Sequence, residues 1–502
     1  MKSLEADLAI IGGGGSGLAA AVRARELGIA DVVVVEKTAR PGGNAWLAVV
    51  MLGLGDRAPS ELLAAPESVT AWRDKTFVDM MQFGRWTLDA KLIRAFVDTY
   101  PEVVNWLIAK GMRFESGGFD VSGRHFTILG MPERKGHLGI SDPARGPGFI
   151  GSTATELLLE DCRKLGIHVL TKTRATNIVL DGSGREVRGV VVSGRDDECV
   201  INARSVILAA GGFGANETLM RQYFPDQFRQ EGPINTLCLG SSTGDGTAMA
   251  QEIGLVMGED MDPGIIGPGH HPWRHSVHEA LLRPETLWVN RNGERFINER
   301  ISVLAGPALA RQPGAVMYAL LDAGIKEYIK ANPSPRQTQM GGLGWLRDLD
   351  QDLAAEAGWT RKVVAVADSW EELAEKMGAD AGVLRATIDR YNGLCYQGRD
   401  ADFVKEPQFL LPLRTPPYHA ILGVRFCHGT AGGAKVNEGM EVTGPEGLPI
   451  AGLYATGDNT SGWVTEWGLP GTTLAFAFTS GYMAAESVAR AHVARANHAE
   501  SD

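Results

Sequence analysis

The chain opens on a short apolar run, Leu8-Ala9-Ile10-Ile11, that stops at glycine, the pattern of a buried parallel strand. Gly12-Gly13-Gly14-Gly15-Ser16-Gly17 follows, and residues 18–27 read as a helix closed by Gly28. Asp31 then leads into Val32-Val33-Val34-Val35, a second strand with Glu36 at its end. The same design, an apolar strand running into glycine, returns at 205–210 before Gly211-Gly212-Phe213-Gly214. It returns again at Gly452-Leu453-Tyr454-Ala455-Thr456, before Gly457 and Asp458. Helical periodicity marks 369–377 and 382–391, and a further helix is expected from Gly471-Thr472-Thr473-Leu474 through 475–489. The uncharged stretch 467–485 approaches the length of a membrane span. Its Pro470, glycines and hydroxyl residues read instead as a buried loop and helix.

Composition narrows the class. With 44% apolar and 22% charged residues the chain is globular rather than disordered, and 502 residues suggest two or three domains. Its 63 glycines are nearly twice the usual share of ~7%, which calls for many close backbone approaches. The net charge of −11 argues against a nucleic-acid partner or an anionic membrane surface. Five cysteines without a C-x-x-C pair fit neither a disulfide framework nor a Cys-rich metal site. Glu5 and Asp7 stand where a signal peptide carries bases, so a cytoplasmic chain is expected.

The glycine spacing at Gly12, Gly14 and Gly17 has a mechanical meaning. Gly12 makes the tight strand-to-helix turn, Gly14 lets a pyrophosphate approach the backbone, and Gly17 lets helix and strand pack closely. The helix N-terminus offers free N–H groups and a positive dipole end. Glu36 lies 19 residues beyond Gly17 (36 − 17), placed to accept hydrogen bonds from an adenosine ribose. Several glycine-ended strands, far apart in sequence, suit an extended FAD better than a nicotinamide held in one crevice.

With Thr243-Gly244-Asp245-Gly246, Arg291-Asn292-Gly293-Glu294-Arg295-Phe296 and His428-Gly429-Thr430-Ala431-Gly432-Gly433, the chain resembles a known superfamily. It is that of fumarate reductase and succinate dehydrogenase flavoproteins, which includes 3-ketosteroid 1-dehydrogenases and urocanate reductases. The resemblance runs from Ile10 to about Gly481. It implies an α/β fold: a discontinuous Rossmann-type FAD-binding domain at 1–260 and 414–502, with an α+β capping domain inserted at 261–413. It also implies FAD contacts at Gly12, Gly14, Gly15, Ser16, Gly17, Glu36, Lys37, Gly42, Gly43 and Asn44. Further contacts are implied at Ala175, Ala210, Gly211, Gly212, Asp245, Gly457, Asp458, Gly471, Thr472, Thr473 and Leu474. No histidine lies between Gly43 and Gly53, where succinate dehydrogenases tether their flavin, so non-covalent FAD is expected.

The resemblance places catalysis at His428 in the H-x-T-x-G-G motif, at His271 in a His-Pro pair, at Glu279, and at Trp467 in the C-terminal loop. A solvated surface pair of Glu279 with Arg283 is the alternative for that acid. The four histidines between 270 and 278 lack a carboxylate or cysteine set spaced for ligation, so no metal is expected. The departures carry as much meaning. Val303 stands where fumarate reductases place a catalytic arginine and ketosteroid dehydrogenases a tyrosine; Gly468 stands where a second carboxylate-binding arginine is expected. Without bidentate arginines a dicarboxylate is poorly held. Trp273, Met51, Val303 and Trp467 read either as core or, taken together, as a pocket more apolar than a dicarboxylate site.

These residues point to an FAD-dependent oxidoreductase that moves hydride between flavin N5 and a C–C bond beside a carbonyl. Desaturation or ene-reduction of a largely neutral, apolar, cyclic ketone or enone is the expected reaction, with an external electron donor or acceptor. A fumarate reductase-like dicarboxylate enzyme and a flavin-carrying electron-transfer subunit remain the alternatives.

Overall fold

The computed structural model describes residues 2–55, 59–121, 124–130, 149–194, 198–255, 257–258, 261–269, 275–302, 304–332, 348–358, 363–464 and 469–499. Among them three sheets form. The largest joins β1 (Lys2–Ile11), β2 (Val32–Val35), β6 (His168–Leu170), β7 (Arg174–Leu180), β8 (Val187–Ser193), β9 (Glu198–Leu208), β16 (Glu441–Thr443) and β17 (Pro449–Ala455). Its spine runs β16-β17-β9-β1-β2-β6, and β17, β9, β1, β2 and β6 are parallel. β1, β9 and β17 extend the apolar runs read from the sequence, which mark only their buried C-terminal ends. Strands from both ends of the chain thus share one sheet. The helix Gly15–Glu26 packs against the helix Thr472–Ala499, and Arg23 bonds Glu486 at 2.7 Å between them.

The second sheet holds β10 (Ile234–Thr236), β11 (Ile265–Gly269), β12 (Leu287–Asn290), β13 (Met317–Leu321), β14 (Val364–Ala367) and β15 (Tyr418–Cys427). β15 is its axis: the first half pairs with β13 and β14, the second with β10 and β11. A small third sheet is formed by β3 (Met51–Leu52), β4 (Glu115–Val121) and β5 (Arg124–Gly130). This is the α/β architecture expected.

Each large sheet has its own core. One is built from residues of β1, β2, β9 and β17 with both packed helices; the other holds Val277, Trp288, Leu320, Leu373 and Ile421. Around the second core lie the two expected helices. Ser369 caps the first, Trp370–Met377, and the other runs over Ala381–Gln397, six residues past its periodic stretch because Tyr391 and Leu394 still bury. An ion cluster, largely buried, stitches this part together. Arg295 bonds both Glu299 and Asp400, and Lys405 reaches Glu299, Tyr391 and the Thr286 carbonyl. Two cations meet two carboxylates there, so no charge is left unpaired.

Candidate functional site

A cleft of about 380 Å³ opens where the large sheet's parallel strands end, the place where open α/β sheets bind ligands. Its floor is the turn from β1 into the helix Gly15–Glu26. Gly12 adopts φ +107°, and a Cβ there would lie 2.3 Å from the Ala209 carbonyl oxygen, so no other residue fits. At Gly17 a Cβ would lie 2.0 Å from the Gly12 oxygen; this glycine serves helix–strand packing and does not line the cleft. Gly14, by contrast, has open space beside it and caps the helix with no side-chain bond, leaving the helix N–H groups uncapped by any side chain.

Glu36 is buried at the cleft wall. Its Oε2 accepts from the Gly13 amide at 2.9 Å, and Oε1 accepts from the Thr38 amide and hydroxyl, both at 2.7 Å. Three of about four lone-pair sites of the carboxylate are used within the chain, and one remains for a ribose hydroxyl. Next to it, Lys37 bonds Thr243 and Asp245, and Arg174 bonds the other Asp245 oxygen at 2.9 Å. Burial raises the Asp245 carboxyl, but these bonds and the two cations outweigh it and hold it below its usual value.

Of the expected cofactor residues, Gly15, Ser16, Gly43, Asn44, Ala175, Ala210, Gly211, Gly457 and Asp458 also line the cleft. Gly42, at φ +134°, donates its amide to the Gly13 carbonyl behind the floor. Gly212 lies under Thr430, whose hydroxyl accepts from the Phe213 amide. Gly471, Thr472, Thr473 and Leu474 form the turn and first residues of the helix Thr472–Ala499 and are not among the lining residues of this cleft. Burial, reinforced by the charge of Asp262 and opposed by a bond from the Gly212 amide, pushes the Asp458 carboxyl up to about 7.

Sequence reasoning missed the wall at Leu239-Gly240-Ser241-Ser242, whose signal is the adjacent Thr243-Gly244-Asp245-Gly246 motif. Asn44 fastens that wall by accepting the Leu239 amide at 2.9 Å. Of the two readings of Met51, the structure favours core: it is fully buried in the first core through the pairing of β3 with β5.

His428 follows β15 at the junction of the two sheets. Its amide donates to the Gly264 carbonyl at 3.0 Å, and Gly264 donates to Asp262 Oδ1 at 2.8 Å. The Asp262 and Ala431 backbones exchange two further bonds, so residues 262–264 strap the 428–431 loop. His428 itself is exposed, directly after the last residue of β15. Directly before it, Cys427 lies 3.9 Å from Cys238, sulfur to sulfur.

Glu279 sits on the helix His275–Leu282, 3.8 Å from Arg283, which forks onto Glu285 at 2.7 and 2.8 Å. All three are buried, so the solvated pair is excluded; the second core closes over them because α-helical neighbours Val277, Ala280 and Leu281 belong to it. His271 and Trp467, with Trp273, Val303 and Gly468, lie outside the described residues.

The residues present fit FAD. A glycine floor, an uncapped helix end, an acid with one acceptor site left and lining residues drawn from seven separate segments match an extended dinucleotide. A family model described as FAD binding domain matches residues 7–473. The chain belongs to that family. Its cofactor is FAD, and it is an FAD-dependent oxidoreductase.

Among flavoprotein relatives, a vinyl phenol reductase of Lactiplantibacillus plantarum is 26% identical over 95% of this chain and 94% of its own. An NADH:fumarate oxidoreductase of Klebsiella pneumoniae is 28% identical over 91% of this chain, which spans only 44% of that protein. In fold, the chain is similar to a 3-ketosteroid Δ1-dehydrogenase from Sterolibacterium denitrificans. The TM-score is 0.73 at 20% identity, covering 97% of this chain and 99% of that one. Among the described residues no helix is long and apolar enough to cross a membrane.

Proposed function

We propose that this flavoprotein forms or reduces a carbon–carbon double bond next to a carbonyl on a largely neutral, apolar substrate, such as a cyclic ketone or enone. Bound FAD supplies the hydride chemistry. Gly12, Gly14, Glu36, Lys37 and Asp245 would hold its adenine and pyrophosphate part, with Gly43, Asn44, Gly457 and Asp458 further along the cleft. His428 carries the reading. It stands exposed at the end of β15, held by the 262–264 strap, and a neutral imidazole donates a hydrogen bond to a polarised oxygen. It does not offer the standing positive charge that a carboxylate requires.

The division into a flavin-binding part at 1–260 and 414–502 and a cap at 261–413 belongs to the same proposal. Two separate cores support it. β15, from the flavin-binding part, pairs with β11, β13 and β14 of the cap and with β10 of its own part, so the junction near His428 is woven from both parts. The electron partner is proposed to be an external donor or acceptor, and the compartment the cytoplasm.

Reductive and oxidative turnover of the FAD-replete protein against enones, vinyl phenols, saturated ketones, fumarate and succinate tests this. Turnover of a neutral member, with poor rates on both dicarboxylates, is expected. Efficient fumarate reduction would overturn the reading. Electron exchange with a redox protein, with no turnover of any organic compound, would assign an electron-transfer subunit instead.

A further inference from the structure

Arg425 is an anomaly in β15. It is completely buried, three residues before His428. Its Nη1 donates to the backbone carbonyl of Gln227 in the single turn Pro225–Phe228. Its Nε and Nη2 are buried and have no partner among the described residues. Burial lowers the guanidinium to about 10, and no carboxylate acts to raise it again. The contrast with the rest of the interior is sharp. Arg283 and Arg295 each fork onto carboxylates, and Lys405 pairs with Glu299. A buried cation with no counter-charge costs several kcal/mol, which natural interiors avoid by pairing.

The geometry of the open donors is specific. Nε and Nη2 lie on the same edge of the planar guanidinium, and that edge bonds both oxygens of one carboxylate side by side. Gln227 adds a second unsatisfied group, because its side-chain Oε1 is also buried without a partner. Turning that amide by 180° replaces the acceptor with a donor at the same place, an exchange that packing barely distinguishes. The turn that covers the site is exposed at Pro225 and Asp226, and the chain stays exposed from Arg229 to Gly232. A small ligand therefore has one short turn between it and solvent.

We propose that Arg425, with Gln227, forms a binding site for a small carboxylate, held on the Nε/Nη2 edge beneath the Pro225–Phe228 turn. The site is separate from the cleft, for neither residue lines it. Arg425 and Cys427 point to one face of β15 by strand alternation, and Cys427 packs in a small cluster with Phe213, Met220, Phe224 and Cys238. The inference does not depend on the proposed reaction.

Sodium acetate is the probe, with sodium chloride at equal ionic strength as reference. Calorimetric titration of the FAD-replete wild-type protein should show saturable acetate binding that chloride displaces only weakly. Arg425→Met should weaken acetate binding at least tenfold. Arg425→Lys keeps the charge without the planar edge, should bind acetate more weakly than wild type, and provides a second reading should the methionine variant not fold. Acetate binding no tighter than chloride would overturn the carboxylate assignment. Equal acetate binding by wild type and either variant would overturn the site. The panel of reductions above reads the proposed reaction independently, so failure of one leaves the other standing.

Discussion

Gly264 and His428 are joined by a single backbone bond of 3.0 Å, and the glycine is there because nothing else fits. At φ +52°, a Cβ on Gly264 would stand 1.7 Å from the Gly429 carbonyl oxygen and 2.8 Å from His428 Nδ1. A side chain would push the strap off the loop that presents the imidazole. Gly264→Ala should lose at least about 1–3 kcal/mol in urea unfolding, the usual cost of such backbone strain, and most turnover with it. A variant with wild-type stability and rate would show that the strap does not position His428.

His428→Ala removes the donor and leaves the nucleotide floor untouched. It should retain a full complement of FAD and lose roughly two to four powers of ten in rate on the true substrate, the scale of acid–base or oxyanion assistance. Near-wild-type turnover would move the chemistry to another residue.

The cofactor should leave the protein on acid precipitation, as free FAD in the supernatant, since residues 43–53 contain no histidine to tether it. Yellow colour remaining in the pellet would contradict a non-covalent flavin.

Glu36→Gln keeps the shape of the side chain and halves its acceptors. The Gly13 and Thr38 bonds then compete for one oxygen. FAD affinity should fall roughly ten- to a hundredfold, equivalent to about 1.5–3 kcal/mol for a bond to a charged group. Fluorescence titration of the apoprotein with FAD measures it.

His419 is a buried residue of β15. Burial, with the charge of Lys326, lowers its imidazole from 6.5 to about 4, and its Nδ1 finds no partner among the described residues. The folded state therefore keeps it neutral while the unfolded chain protonates it. The resulting stability is present above pH 6.5 and disappears as the pH falls towards 4. The drop is worth roughly 3 kcal/mol at 1.36 kcal/mol per unit. Urea midpoints of His419→Asn should fall less than those of wild type across that window; parallel curves would remove His419 from the acid response.

What could be read in advance was local. The turn at Gly12, Gly14 and Gly17 is a property of a few consecutive residues, so its spacing announces its conformation. Lys37, Ala175 and Asp245 reached the expected wall because the family motif carried them there. The strap at Asp262–Gly264 left no such trace, because its purpose appears only when β11 pairs with the end of β15. Arg425 was equally silent: an arginine in an apolar run gives no sign that its neighbours will withhold a carboxylate. Met51 stayed open between substrate wall and core because apolar character marks both, and the pairing with Leu129 puts it in the core.

The sharing of one sheet by both ends of the chain has a consequence for biosynthesis. Gly12 and Glu36 leave the ribosome before Gly457, Asp458 and Ala477, which line the same cleft. Until then β9 lacks β17 as its neighbour, and the helix Gly15–Glu26 lacks the surface of Thr472–Ala499. A translation product halted before residue 449 lacks three lining residues of the cleft, Gly457, Asp458 and Ala477, and leaves the parallel edge of β9 uncovered. The lining of the cleft is therefore complete only once the chain has been made as far as Ala477.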